Sequence, residues 1–207
     1  MESIYSENDR IADSIQQKLA GRGIYAVNVM GAPGAGKTSC LINIIKGLGS
    51  IKAYVIEGDI ESDIDTVKLS ELGIETVQIN TGGECHLDGT LIENTLGKVN
   101  FDKAGILFIE NIGNLVCPAE FSIGENIKML VSTVTEGSDK PYKYPLAFEK
   151  AAVILLNKTD LLPYVDFDFD YFSKGIRALN PDAPIFRVSS KTGEGFEEVC
   201  KWFKAKL

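Results

Sequence analysis

The amino-acid sequence predicts an α/β fold, a mostly parallel sheet with helices on both faces. Three observations carry this: short continuous apolar runs recur along the chain, helical stretches separate several of them, and one run passes through a glycine-rich loop into a helical stretch. Strands buried on both faces read as unbroken apolar runs rather than alternations, and parallel neighbours need crossover helices between them.

Each element follows in order. Residues 6–20 place Ile11, Ile15 and Leu19 four apart, a helical stripe that "GRG" ends. "IYAVNVM" from Ile24 reads as a buried strand, and "TSCLINIIKGL", after the glycine-rich loop, reads as a helix. Further strands are expected at "KAYVIE", "ETVQIN", "AGILFIE", "KMLVST", "AAVILLN" and "APIFRV", with helical stretches around 63–72, 86–96, 167–179 and 195–206. The longest polar segment, "TEGSDKPYKYP", carries two prolines and is expected to be a loop. With 207 residues and 44% apolar content the chain can bury one sizeable core. We divide it into a lead-in helix over 1–22 and a single domain over 23–207.

Charge narrows the possible partners. The 29 acidic and 21 basic residues give a net charge of −8, so the field of the whole molecule repels nucleic acid and anionic membrane. "MESIYSENDRIADSIQQKLAGRG" lacks the apolar core of a signal peptide, and no stretch approaches the roughly 18 apolar residues that span a bilayer. A cytoplasmic protein is expected. Its four cysteines show no C-x-x-C spacing, and a reducing compartment argues against disulfides.

"GAPGAGKT" at 31–38 has the Walker A spacing, Gly31-x-x-x-x-Gly36-Lys37-Thr38, between a strand and a helix. Glycines such as Gly34 and Gly36 let the backbone N–H groups of the loop, from Ala35 through to Ser39, turn around phosphate oxygens. Lys37 adds a point charge, and the Thr38 hydroxyl can ligate Mg²⁺. A glycine-rich turn without a ligand is the alternative, but the strand–loop–helix setting favours nucleotide binding and hence a P-loop NTPase. "NKTD" at 157–160 resembles the guanine-recognition motif of P-loop GTPases. Asp160 can accept from the ring and exocyclic N–H groups of guanine, a donor pair that adenine lacks. Asn157 would hold the loop and the base edge, and the Lys158 stem can cover the base. "VSSKTG" offers Ser190 and Lys191 as further guanine contacts.

A GTPase also needs a metal-binding carboxylate and a γ-phosphate sensor. "LFIENIGN" supplies Glu110-x-x-Gly113, a D-x-x-G variant at a strand end, and Asp59 ends "KAYVIEGD" as a second carboxylate for Mg²⁺ or the attacking water. Slow intrinsic hydrolysis is expected, because no glutamine is placed to orient water.

The single histidine, His86, follows Cys85 in "NTGGECHLDG". Adjacent side chains on a strand face opposite ways, so the two could share a metal only in a turn or at a helix start, where a helix N-terminus would also favour the Cys85 thiolate. Cys117, in "NLVCPAEF" just beyond Gly113, offers a third ligand. Together they make a Cys₂His set with an open position, suited to Zn²⁺ or Ni²⁺. Cys40 and Cys200 fall on helices and read as packing residues.

"TGGECHLDG", "IENIGNLVCPAEF", "TEGSDKPYKYP" and "NKTDLLPYVDFD", with Walker A, resemble the HypB family, GTPases that assist nickel insertion into [NiFe] hydrogenase. The resemblance spans roughly residues 20–207. It implies Mg²⁺-dependent conversion of GTP to GDP, with Lys37, Asp59, Glu110 and Gly113 in the catalytic part and Thr38, Asp59 and Glu110 toward Mg²⁺. It also implies a metal site at Cys85, His86 and Cys117, a GTP-dependent homodimer that pairs two such sites, and as partners a hydrogenase large-subunit precursor and a nickel chaperone. Two alternatives stay open. One is a urease-type nickel GTPase, although Cys117-Pro118 is followed by Ala119 rather than the histidine of a Cys-Pro-His motif. The other is a regulatory switch whose cluster holds structural zinc.

Overall fold

The computed structural model describes the backbone of residues 2–59 and 69–207, and the side chains of residues 6–58 and 69–207. All seven expected strands form: β1 (Ile24–Gly31), β2 (Lys52–Asp59), β3 (Glu75–Asn80), β4 (Gly105–Glu110), β5 (Ile127–Thr133), β6 (Val153–Asn157) and β7 (Ile185–Arg187). They pair in the order β3-β2-β4-β1-β5-β6-β7, every pair parallel. The helices whose bounds lie within the described residues are α1 (Glu2–Ala20), α2 (Lys37–Leu48), α3 (Gly89–Leu96), α4 (Cys117–Glu120), α5 (Lys140–Lys143), α6 (Pro145–Lys150), α7 (Phe169–Leu179) and α8 (Phe196–Lys204).

Burial explains why the strands read as continuous apolar runs. Along β1, Val27 and Val29 enter a core with Leu41, Ile44, Val199 and Phe203 of α2 and α8. Their neighbours Ala26 and Met30 face the opposite layer, where Ile15, Leu19 and Ile92 of α1 and α3 pack beside Ala26, and Phe148, Phe172 and Ile176 of α6 and α7 pack beside Met30. Period-two alternation therefore divides apolar side chains between two covered faces.

Because every strand is parallel, all the C-terminal ends lie along one edge. Gly31, Asp59, Glu110, Thr133 and Asn157 each end a strand there. The order reverses at β1, which lies between β4 and β5. In open α/β sheets such a reversal makes a crevice outside the carboxyl ends, the usual ligand position.

Two expectations need correction. "TEGSDKPYKYP" is not a plain loop: it holds a 3₁₀ turn over Val134–Glu136, then α5 and the start of α6. Each proline lies in the first turn of a short helix, where its missing N–H has no intrahelical partner to lose. The helix expected over 86–96 starts at Gly89, because the Asp88 side chain accepts from Leu91 N–H at 2.8 Å and caps it. Of the helix expected over 63–72, residues 69–71 are helical and 63–68 lie outside the described residues. Among the described residues no helix is long and apolar enough to cross a membrane.

Candidate functional site

The phosphate loop leaves β1 and enters α2 through Gly34 and Gly36, at φ +71° and +88°. L side chains rarely adopt such angles, and a Cβ at Gly36 would also lie 2.6 Å from Asn157 Nδ2. Lys37 and Thr38 open α2, both buried. Ser39 follows on the exposed side, its carbonyl accepting from Asn43 Nδ2 at 2.9 Å.

"NKTD" is bolted directly to this loop. Asn157 Nδ2 donates to Ala35 O at 3.0 Å, while Asn157 Oδ1 accepts from Ser190 N–H at 3.0 Å. Lys158, in the left-handed region at φ +62°, donates from Nζ to Gly34 O at 2.7 Å. Asp160 Oδ1 accepts from Ser189 Oγ at 2.6 Å, and Ser189 Oγ in turn accepts from Thr192 N–H at 3.2 Å. Ser189 was missed in the sequence because two serines stand together and nothing local says which faces Asp160. Ser190 contributes its backbone N–H, and Lys191 is exposed on the same loop.

On the other side of β1, Thr38 Oγ1 donates to Glu110 Oε1 at 3.0 Å, with both residues buried. Glu57 is also buried, and its Cα pairs with that of Glu110 across β2 and β4. The Thr38 hydroxyl and the Glu110 carboxylate offer hard oxygen donors beside the loop, a chemistry that fits Mg²⁺. Asp59 ends β2, but its side chain lies outside the described residues. Gly113 packs on the phosphate loop so closely that a Cβ there would fall 2.9 Å from Pro33 Cα. The next residue, Asn114, makes an antiparallel bridge with Gly31.

The same loop continues into a cysteine–histidine cluster. Cys85 Sγ and Cys117 Sγ are 3.2 Å apart, Cys85 Sγ and His86 Nδ1 are 3.4 Å apart, and the three ligand atoms lie within 4.8 Å of one another. The cluster is accessible: Cys85 is exposed and Cys117 half-buried. Cys85 lies outside α3, four residues before its first residue. Its thiol is pushed above the ordinary range, first by hydrogen bonding with Cys117 and then by desolvation, which corrects the expectation of a favoured thiolate. The His86 ring stacks on Phe121, centroids 4.4 Å apart. Leu87, fully buried, anchors the loop against Gly58, where a Cβ would meet its side chain at 2.8 Å. Cys40 and Cys200 are buried packing residues, as expected.

The family described as "CobW/HypB/UreG, nucleotide-binding domain" matches residues 25–187. The hydrogenase maturation factor HypB of Azotobacter vinelandii is 43% identical over 204 residues, covering 98% of this chain and 67% of its own. This chain belongs to the HypB family. The crystal structure of HypB from Helicobacter pylori in complex with nickel has a TM-score of 0.91 at 33% identity, covering 97% of this chain and 94% of its own. That of HypB from Archaeoglobus fulgidus gives 0.89 at 38% identity, covering 97% and 98%. The family match takes in the phosphate loop, the Cys–His cluster and "NKTD", while Ser189, Ser190 and Lys191 lie just past it.

Proposed function

We propose that this HypB-family protein is a GTP-hydrolysing metallochaperone that assists nickel insertion into [NiFe] hydrogenase, with nickel as cargo at Cys85, His86 and Cys117. One observation carries the reading: Cys117 belongs to the loop whose Gly113 packs on Pro33 of the phosphate loop. Only three residues separate Gly113 from Cys117. A movement of Gly113 toward a γ-phosphate would therefore carry one nickel ligand with it.

In this reading, backbone N–H groups from Ala35 to Ser39 receive the phosphates, Lys37 neutralises charge developing on the transferred group, and Asp160, steadied by Ser189, selects guanine. Mg²⁺, held by Thr38 and Glu110 with Asp59 at the same edge, would supply positive charge to the β- and γ-phosphate oxygens. Turnover is slow without a partner. Residues 23–207 act as the GTPase domain, with 1–22 as a lead-in helix. The protein works in the cytoplasm as a GTP-dependent homodimer, receiving nickel from a partner chaperone and passing it to the hydrogenase precursor. Accessible, incomplete coordination suits transfer better than a structural zinc, which is held in a closed four-ligand shell.

The test is a titration of the parent and Cys117→Ala proteins with nickel, and separately with zinc, in GDP and in a non-hydrolysable GTP analogue. Linkage requires that nucleotide change nickel affinity by the factor by which nickel changes nucleotide affinity, about 5–150-fold for ordinary couplings. Cys117→Ala should lose the nucleotide dependence. Equal nickel affinity in both states of the parent would overturn the coupled-chaperone reading and leave a structural site.

A further inference from the structure

The geometry points to Asn111 and Asn114 as positioning residues that yoke the Cys85–His86 loop to the γ-phosphate sensor; this rests on the coupled-site reading above. The two asparagines flank Gly113 and hold the main chain on both sides of His86. Asn111 Oδ1 accepts from Leu87 N–H at 3.1 Å and from its own neighbour Ile112 N–H at 3.0 Å. Asn114 Nδ2 donates to Cys85 O at 3.1 Å, while Asn114 Oδ1 accepts from Val116 N–H at 2.9 Å, next to Cys117. The chain link from Gly113 to Cys117 moves one ligand. These two amides extend the same movement to Cys85 and His86, which lie in a separate loop.

A buried chain of polar groups fixes the direction of the Asn111 amide. Asn111 Nδ2 donates to Asn28 Oδ1 at 3.1 Å, and Asn28 Nδ2 donates to Glu125 Oε1 at 3.4 Å. Glu125 Oε1 also accepts from Lys128 Nζ, so it faces the N–H₂ end of the Asn28 amide, and Asn28 Oδ1 in turn takes the Asn111 N–H₂, which leaves Asn111 Oδ1 facing the two loop N–H groups. Glu125 is held by Ile123 N–H at 2.7 Å and by Lys128 Nζ at 2.8 Å. Lys128 Nζ also donates to Pro118 O at 3.0 Å and Phe121 O at 2.5 Å, in the segment that follows Cys117 and stacks on His86. The network thus leaves the cluster at Leu87 and returns to it at Pro118 and Phe121. Asn111 is 1% exposed, so its amide turned the other way would set an N–H₂ against two buried N–H groups.

The experiment measures nickel affinity of the parent, Asn111→Ala and Asn114→Ala in GDP and in a non-hydrolysable GTP analogue, with hydrogen exchange at the Leu87 and Ile112 amides. In the parent the affinity ratio between nucleotide states departs from one, and both amides change protection together on exchanging nucleotide. In each variant the ratio falls to within about two-fold of one, although all three nickel ligands remain. Half-buried Asn114 keeps the test open should the Asn111 variant fail to fold. A parent ratio of one overturns the coupled-site reading and this inference with it. A parent ratio that survives in Asn114→Ala and in folded Asn111→Ala, or Leu87 and Ile112 amides that respond to nucleotide independently, overturns the inference alone.

Discussion

Gly113 lies against Pro33 with no room for a side chain: a Cβ would fall 2.9 Å from Pro33 N and Cα and 3.0 Å from its Cγ. Two of these three atoms are backbone in the phosphate loop, so the loop cannot relieve the clash by a rotamer change. Gly113→Ala should therefore push the Gly113 and phosphate loops apart, lowering stability by about 1–3 kcal/mol, the usual cost of overpacking. For a chain of this size that is a drop in Tm of roughly 2–12 °C. GTP turnover should fall with it. A variant with the parent's Tm and turnover would show that the two loops separate freely.

Asp160→Asn should weaken GTP binding and favour xanthine nucleotides, which present an acceptor where guanine presents a donor. Replacing an acceptor of two donors leaves at least one of them unmet, about 1–3 kcal/mol or roughly 5–150-fold in affinity. Ser189→Ala should have a smaller effect in the same direction, near 1 kcal/mol or about five-fold, since it removes only the hydroxyl that orients Asp160. Competition among GTP, ATP and XTP measures both. Parent affinity for ATP equal to that for GTP would remove Asp160 from the specificity role.

Lys37→Ala should abolish turnover, because in the proposed mechanism this buried residue of the loop serves both phosphate binding and charge stabilisation. Asp59→Ala should leave nucleotide binding largely intact while slowing turnover. The two are separated by measuring nucleotide affinity and single-turnover rate in parallel. Unaltered turnover in both variants would place the active site elsewhere.

What the sequence disclosed, and what it hid, follows from the range of the interactions. Buried parallel strands leave unbroken apolar runs, so β1 to β7 were legible, as were the phosphate loop and "NKTD", whose residues are neighbours in the chain. The start of α3 was misjudged because the apolar pattern runs on past Asp88, while the cap is set by one carboxylate. The prolines of "TEGSDKPYKYP" signalled a break but serve as first-turn residues of α5 and α6. Ser189, Asn28, Asn111 and Asn114 were missed for a common reason. Their partners lie 29 residues away for Ser189 and Asn114, 24 for Asn111 and 97 for Asn28, and nothing local in the sequence announces such a contact.

The Phe121 ring should set how well His86 serves as a nickel ligand. His86 stands on an accessible loop, its Nδ1 3.4 Å from Cys85 Sγ, and in the proposed site the imidazole binds nickel from that position. Stacking on Phe121 at a 22° interplanar angle restricts that ring, and Phe121 is itself fixed through its carbonyl by Lys128 Nζ. Phe121→Ala keeps the carbonyl contact and removes the stack, so the ring must be ordered again on metal binding. Immobilising such a side chain costs about 0.5–1.5 kcal/mol, and nickel affinity should fall about two- to ten-fold. Phe121→Tyr, which keeps an aromatic face, should remain near the parent. Thiolate-to-nickel charge-transfer bands should persist in Phe121→Ala, since Cys85 and Cys117 are untouched, while the imidazole contribution to the X-ray absorption spectrum weakens. An unchanged nickel affinity in Phe121→Ala would mean that the Cys85 backbone alone orients the ring.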